Sequence, residues 1–241
     1  MPVRLDPIAD PTSRRLRRPP LVLSHRLGTA RVLLPLVGTA TALVLLLWAM
    51  ESWLLPGPVP TLDSSVAGAV LDTRTPRTIA AARVVTHLGD LWVVALVGAG
   101  LVLLARWRAG RWDSAQLVTV AIGGALLVTA VSKSLTARPR PDGSLTSTVS
   151  MAFPSGHASR AAVVYLLIAW LATRWARHAV RRWGIPILAL SMMVATGWSR
   201  LLLGAHWPSD VLAGYALGGC WLAVVLGVTR PVPLPEAGRA Q

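Results

Sequence analysis

Residues 116–136 read QLVTVAIGGALLVTAVSKSLT, an apolar run in which Lys133 is the only charged residue. An α-helix needs about 20 predominantly apolar residues to cross the hydrocarbon core of a bilayer, and this run has that length. The whole chain of 241 residues is 54% hydrophobic and only 14% charged, which is too apolar for a soluble domain of this size. The sequence therefore predicts an integral membrane protein.

Five other apolar runs approach the same length. Together the runs predict an all-α fold, a polytopic membrane protein built as a six-transmembrane-helix bundle. Several of the 11 tryptophans lie at the ends of the runs, where an amphipathic indole ring sits at the level of the lipid headgroups. The predicted spans are 32–50, 88–105, 116–136, 158–175, 185–203 and 211–228.

These spans divide the chain into three parts. Residues 1–31 form a basic arm, rich in Arg and Pro, that we expect to be disordered and cytoplasmic. Residues 32–228 form the transmembrane domain, and residues 229–241 form a short cytoplasmic tail. Between the first two spans, residues 56–83 are polar enough to stay out of the bilayer centre, and they fit either an interfacial helix or a plain loop.

The distribution of arginine predicts the orientation of the bundle. Arginines are concentrated in the arm, in the connections at 106–111 and 174–182, and in the tail, which all lie on one side of a six-span chain. The positive-inside rule places that side in the cytoplasm. We expect the membrane to be the cell (inner) membrane. The formal net charge of +14 then reflects topology, with some affinity for anionic lipid. A nucleic-acid partner is not indicated, because no recognition motif accompanies the arginines.

Three polar clusters fall in the remaining connections, so the topology brings them all to the extracytoplasmic face. The first cluster holds Lys133, the only lysine of the chain, and Arg140. Both side chains can bind phosphate oxygens, although a snorkelling pair at a helix end is the alternative. The clusters are Lys133-x6-Arg140-Pro141, Pro154-Ser155-Gly156-His157 and Ser199-Arg200-x5-His206-x3-Asp210.

The second and third clusters each contain one histidine. Ser155 and Gly156 directly precede the span 158–175, and the start of a helix offers free N–H groups to an anion; an ordinary serine N-cap is the alternative. His206 and Asp210 are four residues apart, so the carboxylate can hold one ring nitrogen and leave the other as a nucleophile or base. The alternative is a His–Asp pair that is only satisfied at a membrane boundary.

The three clusters, in this order and at this spacing, resemble the signature of the type-2 phosphatidic acid phosphatase family, which is related to the vanadium haloperoxidases. Every defining position between Lys133 and Asp210 matches, and the six-span layout is similar to the bacterial membrane branch of the family. Arg138 and Pro139 form a second Arg-Pro pair, but only Arg140 has the family's spacing from Lys133.

The resemblance implies a metal-independent phosphatase that needs no cofactor and works through a phosphohistidine. His206 would attack phosphorus, Asp210 would orient its ring, and His157 would protonate the departing oxygen. The substrate would be a lipid phosphate or diphosphate taken from the bilayer, such as phosphatidic acid, phosphatidylglycerol phosphate or a polyprenyl (di)phosphate. The sequence does not indicate an oligomeric state. The phosphate oxygens would be bound by Lys133, Arg140, Arg200, Ser155 and Gly156.

Three other functions use parts of the same pattern. A haloperoxidase would bind vanadate in the same anion site, but six spans argue against a soluble enzyme that handles oxidants. A phosphotransferase would pass the phosphoryl group to an acceptor other than water. A transporter of anionic lipid would need its charges near the middle of the membrane, in broken helices, whereas these charges lie at one surface.

Overall fold

The computed structural model of the protein describes residues 58–109, 112–134, 136, 138–147, 150–176 and 178–228. Within these residues the fold is all-helical, with seven α-helices, a short 3₁₀ turn at His87–Gly89 and no strand. The basic arm, the predicted span 32–50 and the tail lie outside the described residues. The helices are α1 (Pro58–Asp72), α2 (Pro76–Thr86), α3 (Leu91–Ala109), α4 (Trp112–Ser134), α5 (Gly156–Trp175), α6 (Ala179–Leu202) and α7 (Pro208–Val228).

Four of these helices are long and apolar enough to cross a membrane. Large apolar side chains such as Leu103, Leu127 and Leu212 are exposed on the outside of the bundle, as expected for a surface that contacts lipid. The fold is therefore that of a multi-pass membrane protein. The four segments are Leu91–Arg108 in α3, Ala115–Ser134 in α4, Ala179–Leu202 in α6 and Pro208–Gly227 in α7.

Helix α5, the predicted fourth span, lies at the centre of the bundle. It packs most extensively against α6 and α7, and it also contacts α3 and α4. Val163 and Leu167 in its middle are buried in the main core cluster, which α4 and α7 complete. It does not contain one of the four apolar segments given above, and Ser159 and Arg160 make its first turns polar. Because its neighbours shield it from lipid, this helix does not need an apolar surface all round.

Several helices begin or end elsewhere than the sequence predicts. Helix α6 begins at Ala179, six residues before the predicted start at 185, so Arg181 and Arg182 lie in its first turns and not in a loop. Pro186 is accommodated inside this helix. Helix α3 begins at Leu91 and not at 88, because the residues before it form the 3₁₀ turn and an extended residue.

The segment between the first two predicted spans is helical and not a plain loop. It forms α1 and α2, which are separated at Thr75, where a capping box closes the start of α2. Val70 of α1 and Ala82 of α2 are buried against Leu202 and Leu203 at the end of α6. The two short helices therefore cover the same end of the bundle at which the polar clusters lie.

Candidate active site

The three polar clusters meet at one end of the bundle. This end is formed by the last turn of α4, the first turns of α5 and α7, and the last turn of α6. Two hydrogen bonds join the clusters directly. The Ser155 N–H donates to the carbonyl oxygen of Asp210 at 2.9 Å, and Arg140 Nη1 donates to the carbonyl oxygen of Ala205 at 2.5 Å. The clusters that the topology predicts to share a face therefore also share a site.

His206 lies in the loop before α7 and is almost fully buried, with 2% of its surface exposed. Gly204, at φ 64°, provides the left-handed residue with which this loop turns. Burial lowers the pKa of His206 to about 4, although the neighbouring Asp210 carboxylate raises it. The imidazole is therefore neutral at pH 7 and keeps a lone pair that can attack an electrophile.

Asp210 lies beside His206 but does not hold its ring in this structure. The distance from His206 Nδ1 to Asp210 Oδ2 is 3.5 Å, too long for a hydrogen bond, and Nδ1 has no hydrogen-bond partner among the described residues. The same carboxylate oxygen instead accepts the Trp207 N–H at 2.8 Å. The four-residue spacing therefore brings the pair together, but both residues 206 and 207 precede α7, so the pair does not have the geometry of a helix face.

A buried ion network that the sequence did not predict holds Asp210 in place. Arg138 donates from Nη1 to Asp210 Oδ1 at 2.6 Å and from Nη2 to Asp63 Oδ2 at 2.5 Å. Asp63, in α1, also accepts the Ser209 N–H at 2.9 Å. One guanidinium thus bridges two buried carboxylates. In the sequence, the second Arg-Pro pair pointed to Arg138 as a residue of the site. No motif near Asp63 points to that residue in the same way.

The three predicted cations lie close to one another. Lys133 Nζ donates to the Met151 carbonyl oxygen at 2.7 Å, and Arg140 Nε donates to the Ser150 carbonyl oxygen at 3.0 Å. Both Arg140 and Arg200 are near enough to Lys133 for their charges to repel its ammonium. Such a cluster is stabilised by an anion bound between its members. Within the described residues, no group of three His, Cys, Asp or Glu side chains could hold a metal ion.

Arg200 is buried, with 4% of its surface exposed, and its hydrogen bonds are incomplete. Its Nη1 donates to Thr86 Oγ1 at 2.8 Å, at the end of α2. Its Nε has no hydrogen-bond partner among the residues that the structure describes. A buried guanidinium with an unused donor is costly, and a phosphate oxygen could accept from that donor.

Ser155 and Gly156 have different roles at the start of α5. Ser155 is the N-cap of α5, and its hydroxyl oxygen accepts the Ala158 N–H. The Ser155 N–H donates to the carbonyl oxygen of Asp210. The predicted contribution of the Ser155 N–H to an anion cradle is therefore not available here. Gly156 and His157 occupy the first turn, where a helix has no carbonyl oxygen to accept their N–H groups. A Cβ on Gly156 would lie 3.5 Å from the Lys133 side chain.

His157 is held by two residues that the sequence analysis did not include in the site. Its Nε2 lies 2.8 Å from Asp90 Oδ1, and its Nδ1 lies 3.3 Å from Arg160 Nη2. Arg160 also reaches Gly156, since a Cβ there would lie 3.2 Å from Arg160 Nη1. Arg160 is therefore a fourth cation at this site. Its position in the first turns of the helix that begins with the predicted phosphate-binding residues was the signal in the sequence.

Comparison with known proteins agrees with this arrangement. The sequence model of the PAP2 superfamily matches residues 114–232. Phosphatidylglycerophosphatase B of Bacillus subtilis is 30% identical over 183 residues, which make up 72% of this chain and 86% of that protein. The chain belongs to the PAP2 superfamily. The family recognised from the three clusters is thereby confirmed.

Other PAP2 phosphatases are similar over most of their length. Decaprenylphosphoryl-5-phosphoribose phosphatase of Mycobacterium tuberculosis is 32% identical over 173 residues, 67% of this chain and 85% of that protein. The crystal structure of the transmembrane PAP2-type phosphatidylglycerolphosphate phosphatase from Bacillus subtilis superposes with a TM-score of 0.64 at 28% identity, covering 79% of this chain and 93% of that one. The relatives named here are phosphatases.

Proposed function

We propose that the protein is a membrane-embedded phosphatase that hydrolyses a lipid phosphate or diphosphate through a phosphohistidine intermediate. The observation that carries this proposal is a group of cations, of which Arg200 is buried and Lys133 and Arg140 are half-buried, around a neutral, buried histidine. Lys133, Arg140 and Arg200 repel one another, and the tetrahedral phosphate group has the charge to neutralise them. His206 beside them supplies the nucleophile.

The chemistry uses two histidines in sequence. The lone pair of His206 forms a bond to phosphorus while the bond from phosphorus to the lipid oxygen breaks, and His157 gives that oxygen a proton. In the second step, His157 takes a proton from water as the water oxygen bonds to phosphorus and the bond to His206 breaks. Asp210 stabilises the positive charge that develops on His206. The cations stabilise the spread charge of the transition state, which is the main task in phosphoryl transfer.

The proposed substrate is a lipid because the site opens at the end of a membrane bundle. The named relatives act on phosphatidylglycerophosphate and on decaprenylphosphoryl-5-phosphoribose, and both compounds join a phosphate monoester to long apolar chains. We further propose that six spans cross the inner membrane, the first of them at residues 32–50, with α5 as the fourth. Both termini would then be cytoplasmic and the site extracytoplasmic.

A panel of lipids tests this function. The purified protein in detergent is given phosphatidic acid, phosphatidylglycerol phosphate and undecaprenyl diphosphate in the presence of EDTA, and inorganic phosphate is measured. We expect release from at least one lipid, sensitivity to vanadate, and none with His206→Ala. Phosphoryl transfer to an alcohol in place of water would identify a transferase. Lipid movement across vesicles without any phosphate release would identify a transporter.

A further inference from the structure

The His157 ring has a specific partner at each nitrogen, and only one of the two is an acid. The carboxylate of Asp90 faces Nε2, and the guanidinium of Arg160 faces Nδ1. A guanidinium can donate hydrogen bonds but cannot accept them. The pattern of partners therefore selects the neutral tautomer in which Nε2 carries the proton and donates it to Asp90, while Nδ1 accepts from Arg160.

Asp90 is held in place by contacts that α5 itself makes. It follows the 3₁₀ turn at His87–Gly89, and α5 anchors that turn by its backbone. Arg160 Nε donates to the Gly89 carbonyl oxygen at 2.9 Å, and the Tyr165 hydroxyl donates to the Leu88 carbonyl oxygen at 3.1 Å. Two side chains of the helix that carries His157 thus fix the turn that carries its carboxylate.

The fit between this turn and the histidine is tight. A Cβ on Gly89 would lie 3.0 Å from His157 Cβ and 3.1 Å from its Cδ2, so only a glycine allows the imidazole to pack on the turn this closely. The second carboxylate oxygen of Asp90 accepts from His87 Nδ1 at 2.6 Å. Burial raises the pKa of Asp90, but the hydrogen bonds from His87 and His157 outweigh it and hold that pKa below its ordinary value.

We propose that Asp90 is a positioning residue for the acid–base step: it forms a second His–Asp pair, in which it orients His157 and makes Nδ1 the nitrogen that exchanges protons with the reacting oxygens. This inference rests on the proposed phosphatase function. It adds a residue that lies outside the three clusters, 43 positions before the first of them.

The proton balance follows from this geometry. When the phosphate monoanion binds Arg160, Nδ1 is released and takes the proton of the P–OH group, so that the ring becomes an imidazolium and the phosphate a dianion. That proton moves to the leaving oxygen as its bond to phosphorus breaks, and Nδ1 later recovers a proton from the attacking water. Nε2 remains protonated and bound to Asp90 throughout, so the carboxylate stays ionised.

The charges around His157 explain why the carboxylate of Asp90 is needed to stabilise the protonated ring. Burial of the ring, followed by the charges of Arg200 on α6 and Arg160 on its own helix, lowers the pKa of His157 to about 3. Asp90 is the negative group that opposes them, with His87 on its far side. Asp90→Asn removes this charge but leaves the size of the side chain and an oxygen that can still accept from Nε2.

The test compares two leaving groups in the first turnover, measured by rapid mixing. A short-chain phosphatidic acid releases an alkoxide-like oxygen that needs a proton, whereas 4-nitrophenyl phosphate releases a stable anion that does not. General acid catalysis contributes roughly 10²–10⁴-fold, so we expect Asp90→Asn to slow the lipid reaction by about 10²-fold and the nitrophenyl reaction by less than about threefold. Asp90→Glu should recover part of the loss. Asp72→Asn, an exposed carboxylate at the end of α1, is the matched control and should behave as wild type.

Double variants add a second criterion. If Asp90 acts through His157, Asp90→Asn combined with His157→Ala should be no slower on the lipid than His157→Ala alone. Additive losses, equal losses on both leaving groups, or an unchanged lipid rate would each overturn the proposal. Absence of phosphate release from the wild-type enzyme would instead contradict the phosphatase function itself.

A measurement on the wild-type protein covers the case in which Asp90→Asn does not fold. The ¹⁵N spectrum of histidine-labelled enzyme in detergent distinguishes protonated from unprotonated ring nitrogens, and comparison with His157→Gln assigns the signals. We expect His157 to be protonated at Nε2 and unprotonated at Nδ1 at pH 7. The opposite tautomer would rule out the proposed pair.

Discussion

At the scale of single residues, two arginines two positions apart have different surroundings and therefore different roles. Arg138 is buried between Asp63 and Asp210, while Arg140 is half-buried and binds backbone carbonyl oxygens next to the cation cluster. The family spacing predicts Arg140, and not Arg138, as the phosphate-binding member of the two. The structural importance of Arg138 could not be predicted, because Asp63 is 75 positions away in the chain.

This difference predicts opposite consequences of substitution. Arg138→Gln leaves two buried carboxylates without their cation and should lower the free energy of unfolding by roughly 3–5 kcal/mol. Arg140→Gln should melt within a few degrees of wild type but lose most phosphate release. Thermal unfolding in detergent and phosphate release check both variants. An Arg138→Gln protein as stable as wild type would contradict the assigned role of the network.

A second residue-scale prediction concerns the ionisation of His206. Burial lowers its pKa to about 4, so the ring should stay neutral as the pH falls from 7 to 5 and take up a proton only near pH 4. An ordinary histidine titrates near pH 6.5. The ¹⁵N-histidine spectrum, assigned with His206→Gln, measures the midpoint. A midpoint at or above pH 6.5 would show that the ring is not desolvated as the structure indicates.

At the scale of elements, the close approach of α7 to α5 aligns the third cluster with the second. Gly214 and Gly218 are four residues apart on α7 and face the backbone of α5, where a Cβ on Gly214 would lie 2.6 Å from the Ser155 carbonyl oxygen. Small residues at this spacing allow membrane helices to pack closely. The sequence predicted both helices, but hydropathy alone does not tell which face of α7 meets α5.

Two adjacent glycines provide a matched pair for this interface. A Cβ on Gly218 would collide with the Ser159 carbonyl oxygen, whereas a Cβ on Gly219 would meet only Leu166 Cδ1 at 3.7 Å. Gly218→Ala should therefore lower stability by about 1–3 kcal/mol through overpacking, and it should reduce activity by shifting the helix that follows His206. Gly219→Ala should match or exceed wild-type stability. Equal melting temperatures for the two variants would contradict the described packing.

At the scale of the whole molecule, the alternation of spans was enough to predict that the three clusters converge. The clusters lie in the two connections that an even number of predicted crossings separates, so the count of crossings alone puts them on one face. The partners that hold the clusters were not predictable in this way. Asp63 and Asp90 come from the segment before α3, and their contacts with Arg138 and His157 join residues more than 60 positions apart.

The proposed orientation in the membrane predicts a labelling pattern. In a Cys220→Ser background, which removes the native, half-buried thiol, Ser147→Cys should react with a membrane-impermeant thiol reagent in intact cells. Ala179→Cys, at the start of α6, should react only after the cells are permeabilised. Both positions are exposed. The reverse pattern would place the site on the cytoplasmic face.

The most direct test of the account is the identity of the atom that receives the phosphoryl group. The enzyme is mixed with ³²P-labelled lipid phosphate, and the reaction is stopped with alkali, in which phosphohistidine survives. Peptide mapping then locates the label. We expect an acid-labile label on His206 that persists longer in His157→Ala and is absent from His206→Ala. A label on another residue, or one retained in His206→Ala, would contradict the central claim.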